Sequence, residues 1–472
     1  MRTLFTLLLS VCTLGMVHAT IIHVPGDAAT IQEGIDASVS GDTVLVAPGT
    51  YYENINLNGK NILLTSNFYI SGDAADIANT IIDGSMPVQA DTASTIFIIN
   101  GETNDCIIQG FTVTGGSGTI WLDEHGAGYY REGGGFLVQY SAPIIRYNYI
   151  MDNHVNLGTG VGSTGGGALR AGDSNVRMEN NIIINNEGKG YGGALCFNYC
   201  DTVTLLNNVI AHNTGGDDFG GGAIISIGNT TAEVTNVINC TIVQNDAIGS
   251  GGTAGKAGAV MVYGTTVNLH NCISFGNRQT TGNSCFVSGG LLNVNYTNLE
   301  YTTTGTGNIT ADPLFLDTLM CFMLDTLSPC IDAGDPDMLF NDIALAAPEE
   351  PMWPALGSLH NDMGAHGGPS AVQITACTLQ EPTVGVEEIQ QKDIHIYPNP
   401  ADAFISVQLP EHATGKFDLA IMHTSGARVY EKNNVAGSLT IAVSSWPAGM
   451  YLLTVKSETE SYTYPIVIST GK

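Results

Sequence analysis

Positive charge is what this sequence has least of. Fifteen Lys and Arg stand against 44 Asp and Glu in 472 residues, a formal charge of −29. Such a chain repels phosphate backbones and anionic lipid, which argues against a nucleic-acid partner or an anionic-membrane partner. Charged residues of both signs reach only 12%, while glycine is abundant at 58 residues without a collagen period. That balance suits a chain that turns tightly and buries most side chains between stacked sheets. Past the N-terminus no run is long and apolar enough to span a bilayer, so no transmembrane segment is expected. Cysteine is present in an awkward number: beyond Cys12 there are nine, so at least one stays unpaired.

What the chain does have is a repeat. Between Gly133 and Asn277 one pattern recurs five times: a small-residue opening (GGGF at Gly133, GGGA at Gly165, GGA at Gly192, GGGA at Gly220, KAGA at Lys256), an alternating apolar run, a second short run, and a closing Asn. The closing positions Asn153, Asn186, Asn213, Asn245 and Asn277 are 33, 27, 32 and 32 residues apart. Short β-type runs at that period, with no helical spacing, predict one solenoid coil per repeat, a parallel β-helix. Glycine fits crowded turns at unusual φ, and Asn amides can hydrogen-bond to copies of themselves when coils stack in register. Cys240 and Cys272 share one repeat position, so they should stack about 4.8 Å apart as buried thiols.

Residues 1–19 read as a secretory signal peptide, with Arg2 before an apolar stretch and Val-His-Ala at the cleavage site. Thr30-Ile-Gln-Glu33 is a capping box, and Ile31, Ile35 and Val39 fall on one face of a short helix that should cover the N-terminal end of the solenoid. About ten coils are expected between Asp42 and Cys330. From Ser328 the text becomes irregular and predicts a C-terminal cap, with Cys330 and Cys377 placed to close its excursion by a disulfide. The β-helix should thus occupy residues 20–377, and residues 378–392 read as a linker. Residues 393–472 hold seven short alternating runs, which predict a small antiparallel, immunoglobulin-like β-sandwich.

Two resemblances follow from particular motifs. TIQEGIDASVSGDTVLVAPGTYYENI, the GFTVTGG coil and the end motif DPLF…SPCIDAGDP…NDMGAHGGP resemble secreted right-handed β-helix proteins of the pectate-lyase-like superfamily. The tail, with Tyr397-Pro-Asn-Pro400 and Pro447-Ala-Gly-Met-Tyr451, looks like the C-terminal sorting domain of type IX secretion substrates. The second resemblance implies contact with the type IX machinery and an extracellular or outer-membrane-surface location in a Gram-negative bacterium. The first implies an all-β fold, and it leaves activity open. Of the polygalacturonase motifs, only Asp217-Asp218 and Ala365-His366-Gly367 have counterparts, far apart in the chain. Arg146, Arg170 and Arg177 lie on coils with no carboxylate at an evident spacing.

The variable segments all fall in one slot, after the closing Asn and before the next Gly-Gly. Insertions at one slot stack along one edge and build a face. They carry Trp121, Asp123, Glu124, His125, Tyr129, Tyr130, Arg131 and Glu132 in one loop, and His154, Glu187, Lys189, Tyr191, Asp217, Asp218, Phe219, Asp246 and Lys256 in others. Aromatics beside carboxylates suit sugar rings, so a polysaccharide or cell-surface glycan is the expected ligand. If the protein is a polysaccharide lyase or glycoside hydrolase, Asp217, Asp218, Glu124 and Lys189 are the candidates for its chemistry. A purely structural or adhesive module is the third reading. Asp332, Asp335, Asp337 and Asp342 form an acidic loop of the kind that can hold Ca²⁺, the one cofactor the sequence raises.

Overall fold

The computed structural model describes residues 19–472 apart from 124, 127, 156–160, 162, 216–219, 248–255, 281, 345–349, 373–394, 398–400, 402, 410–416, 424–427, 436, 448, 457–460 and 469–472. The chain divides into two compact units, Met1–Gln380 and Glu381–Lys472.

In the first unit each coil contributes strands to three parallel sheets of ten, nine and eight strands. Strand register stacks like on like. One column runs Ile22, Val44, Leu64, Ile108, Ile145, Met178, Leu205, Val237, Leu269, Val294, one side chain per level. From Val44 onward every member of that column is buried. Period-2 alternation sends these residues inward, and repetition every coil makes the interior one continuous apolar rod. The architecture is a parallel β-helix. Its first paired strand starts at Ile21, ahead of the coils expected from Asp42, and the last of its paired strands ends at Leu299.

Polar ladders run beside the apolar ones. Asn153, Asn186, Asn213, Asn245 and Asn277 are all buried. The side-chain amide of each member donates to the side-chain oxygen of the next, at 2.9–3.0 Å. The same oxygen also accepts the preceding Asn's backbone N–H. A second ladder, Asn148, Asn181, Asn208, passes into Cys240 and Cys272, both free buried thiols. The left-handed corners fall one residue earlier than the ladder, at Asp152, Asn185, His212 and Gln244. The ladder Asn satisfies the backbone groups that each corner strips of strand partners.

The repeated glycines have two causes: Gly133 and Gly166 take the left-handed φ expected of them, at 66° and 65°, and others answer to room alone. Gly167 and Gly222 have ordinary φ values. A Cβ on Gly167 would stand 2.6 Å from the Gly193 carbonyl, and one on Gly222 would stand 2.7 Å from that of Gly258. Backbone lies on backbone here, so room decides the residue type.

The N-terminal helix spans Ile31–Ala37, with Thr30 Oγ1 accepting from the Glu33 N–H. Ile31 and Ile35 are buried in the core, but Val39 lies beyond the helix end and is exposed. The C-terminal segment is less a cap than a strap. Asn207 Nδ2 donates to the Ala365 and Gly367 carbonyls, Asn239 Nδ2 to that of Asp362, and Asn180 Nδ2 to that of Ser370. The strap therefore climbs back along the corners, and Met363 and Ala365 cover the outer apolar residues Ile182, Val209 and Ile273 of the nine-stranded sheet. The expected Cys330 bridge is not made. Cys330 is a free buried thiol that accepts from Asn298 Nδ2 at 3.1 Å, while Cys321 is the disulfide-bonded cysteine of this region. Cys377 lies outside the described residues.

The second unit is antiparallel. His395–Tyr397, Phe404–Gln408 and Ser438–Ala442 form one sheet. Phe417–His423, Arg428–Val435, Gly449–Lys456 and Ser461–Ile468 form the other. Ile405, Val407, Ile421, Tyr451, Leu453 and Ile466 bury themselves in its core, as in a small β-sandwich.

Candidate functional site

The insertion slot opens beside the outer face of the eight-stranded sheet. The longest described insertion is a hairpin, Gly118–Asp123 paired antiparallel with Gly128–Glu132. Alternation splits its side chains between two faces. Trp121, Asp123, Tyr130 and Glu132 share one face, and Leu122, Tyr129 and Arg131 share the other. Asp123, Tyr130 and Glu132 face the sheet and enclose a cavity of about 350 Å³ together with Tyr191, Asn198, Tyr199, Ile227 and Tyr263. Asn198, Ile227 and Tyr263 are register partners on successive coils, at the outward position closing each strand.

The hairpin is tied down at both ends. At its base Glu132 is paired with Arg170 Nε at 2.9 Å, each side chain only 3% exposed. The Arg170 guanidinium also bonds the Gln139 side-chain carbonyl. Gln139 Nε2 donates to Asp173 Oδ2 at 3.1 Å, and Asp173 Oδ1 lies 3.1 Å from His125 Nε2 at the hairpin tip. The His125 ring stacks on Tyr199, centroids 3.6 Å apart. One continuous polar chain thus runs from the foot of the hairpin back to its tip, across two coils of the sheet.

Burial pushes the Glu132 carboxyl above the usual carboxylate range, against the pull of Arg170. Burial likewise raises the Tyr191 and Tyr199 phenols, so both stay neutral at physiological pH. The Tyr130 and Tyr191 rings lie 5.8 Å apart and tilted, joined through their hydroxyls. Cys196, Ile225, Ala257 and Met261 form a small apolar layer against Tyr191 and Ile227.

Of the residues singled out from the sequence, Asp123, Tyr130 and Tyr191 line the cavity and His125 closes it. Trp121 lies on the same hairpin face without lining it, and its buried Nε1 finds no protein partner. Tyr129 points away and is exposed. Arg131 is structural: it donates to the Ala90 and Gly118 carbonyls and to Asp91. Lys189 is half-buried in the segment before Tyr191, outside the lining. Glu124, Asp217, Asp218 and Phe219 lie outside the described residues.

The acidic loop is dispersed among local tasks. Asp332 accepts from Ser358, Asp335 faces His270, Asp337 caps a 3₁₀ turn, and Asp342 accepts from the Gly368 N–H. Among the described residues no three His, Cys, Asp or Glu side chains converge as a metal cage.

Sequence reasoning missed Arg170, Asn198, Tyr199 and Tyr263, because they belong to the coils and not to the insertions. The expectation that no carboxylate stands beside Arg170 is corrected: Glu132 reaches it from the inserted hairpin, a distance in sequence that no local spacing reveals. One signal was legible. The outward position at the strand end recurs as Gln139, Gly172, Asn198, Ile227 and Tyr263, in register from coil to coil.

Comparison with known proteins adds the destination. Residues 395–469 match the family model of the secretion system C-terminal sorting domain. No curated protein matches the chain. Among solved structures, a pectin methylesterase mutant in complex with a hexasaccharide is 10% identical, covering 62% of this chain and 91% of that one, with a TM-score of 0.24. That superposition is too loose to place one site on the other. The class is a parallel β-helix with a sorting-domain tail. The protein is a type IX secretion substrate delivered to the cell surface.

Proposed function

We propose that the protein binds a saccharide at the cell surface, in the cavity between the inserted hairpin and the eight-stranded sheet. The observation that carries this is the lining: four tyrosines, Tyr130, Tyr191, Tyr199 and Tyr263, around one cavity with Asp123 and Asn198 as polar anchors. Aromatic faces pack on the C–H faces of sugar rings, and acceptors at their edge take hydroxyl protons. At about 350 Å³ the volume lies within the usual range of small-ligand sites.

A second reading rests on one further fact. Asp123 and Glu132 share the cavity, and burial holds Glu132 toward its protonated form. Two carboxyls on one cavity, one of them with its ionisation disfavoured by burial, are the kind of pair that glycoside hydrolysis uses. The test is a glycan-array screen of the full chain, followed by calorimetry and a reducing-sugar assay on any ligand found. Tyr263→Ala should weaken binding about fivefold, since a stacked aromatic contributes on the order of 1 kcal/mol. Undiminished binding by that variant would move the site elsewhere. Release of reducing ends that Glu132→Gln abolishes would establish the hydrolytic reading.

A further inference from the structure

The cavity has an electrostatic sign, and the sign narrows the ligand. Among the described residues its lining combines four tyrosine rings, two carboxyls, one amide and one isoleucine, with no Lys or Arg. Two arginines close to the cavity are committed elsewhere. Arg170 is buried behind the wall, with its guanidinium on Glu132 and Gln139. Arg131 faces the other way, onto Ala90, Gly118 and Asp91. Asp123 lines the cavity and Asp173 lies 3.1 Å from His125 at its rim, so carboxylates flank the mouth. His125, on Asp173 and Tyr199, is the remaining titratable group at that rim. A uronate entering here would find carboxylates and the negative faces of phenol rings, with no Lys or Arg among the described lining residues to receive it. An ammonium group would find the reverse: ring quadrupoles that attract cations, and Asp123 as counter-charge.

We infer that the ligand carries a positive charge, an amine-bearing sugar such as a glucosamine unit, and not a uronate or a neutral hexose. This rests on the saccharide reading above, and the experiment separates the two. The full chain is titrated calorimetrically, at mildly acidic pH where the sugar amine is protonated, with five probes. These are glucosamine tetramer, its fully N-acetylated counterpart, cellotetraose, galacturonate tetramer and tetramethylammonium.

The expected result is that the glucosamine tetramer binds at least about tenfold more tightly than the acetylated and neutral tetramers, the size of one desolvated cation–π contact. Galacturonate should show no binding, and added salt should erode the preference. Asp123→Asn should narrow the gap between amine and neutral probes while sparing the neutral ones, because its Oδ1 can still accept the His125 N–H that turns the hairpin at 2.7 Å. Tyr263→Ala, at a half-exposed position the fold does not need, should weaken every probe that binds. If acetylated or galacturonate chains bind as well as the amine, the charge inference is overturned and the saccharide reading stands. If tetramethylammonium binds as tightly as the glucosamine tetramer, the cavity is a cation cage and the saccharide reading falls instead. If no probe binds, both are overturned.

Discussion

Two buried charge arrangements are decided by single residues. Arg170 holds Glu132, and through Gln139 and Asp173 it is joined to the hairpin tip. Removing one partner of a buried pair strands the other charge, typically at about 3–5 kcal/mol. Arg170→Ala should therefore raise hydrogen exchange across residues 118–132 and lower the unfolding free energy by that order. Protection unchanged in the hairpin would show that the pair is dispensable. In the strap, burial raises the carboxyls of Asp342 to about 7 and Asp362 to about 8, Asp362 being raised further by its neighbour Asp342. Both start near 3.8 in the unfolded chain, so between these values the folded state holds more protons than the unfolded one. This contribution to stability is present at low pH and is lost as pH rises through the folded values. Melting temperature measured at about pH 5 and about pH 8 should fall more steeply in the parent than in Asp362→Asn. Equal slopes would clear the pair of responsibility.

The Asn ladder is the element on which coil stacking can be tested. Asn213 donates to Ile183 and Asn245 and accepts twice from Asn186, all at 2.9–3.0 Å. Asn213→Ala leaves several buried groups unpaired, at about 1–3 kcal/mol each, so a loss of about 3–5 kcal/mol is expected in urea unfolding. The neighbouring ladder provides the control. Asn208 stands above Cys240 and Cys272, where thiols already fill the same position. Asn208→Cys should therefore cost clearly less than Asn213→Ala. Equal losses would mean that volume, and not the amide pairing, is what the ladder supplies.

For the whole molecule, a solenoid with its own rod-like core and a sandwich with its own core should fold apart. Deleting residues 381–472 should leave the circular-dichroism melt of the β-helix intact while the protein stays in the periplasm. Cell fractionation that finds the truncated chain at the surface would show that delivery does not depend on the tail. The hairpin site, carried by the first unit, should bind its ligand equally well with or without that tail.

The repeat period, the Gly-Gly openings and the closing Asn residues made the parallel β-helix legible from sequence, because stacking imposes the same local demand on every coil. The tail was legible for a related reason: alternating runs and turn residues report strands directly. The site was only half legible. Asp123, Tyr130, Tyr191 and His125 stood out as atypical residues in the insertion slot, but Tyr199, Tyr263 and Arg170 look like ordinary members of the repeat. Tertiary structure decided which hairpin face turns inward, which discarded Tyr129 and Arg131. It placed Glu132 against an arginine one coil away, left Cys330 a free thiol, and laid the C-terminal segment along the side of the solenoid. Each of these depends on contacts between coils or across them. A one-dimensional pattern records what a coil repeats, and the site is built from what the neighbouring coils do not share.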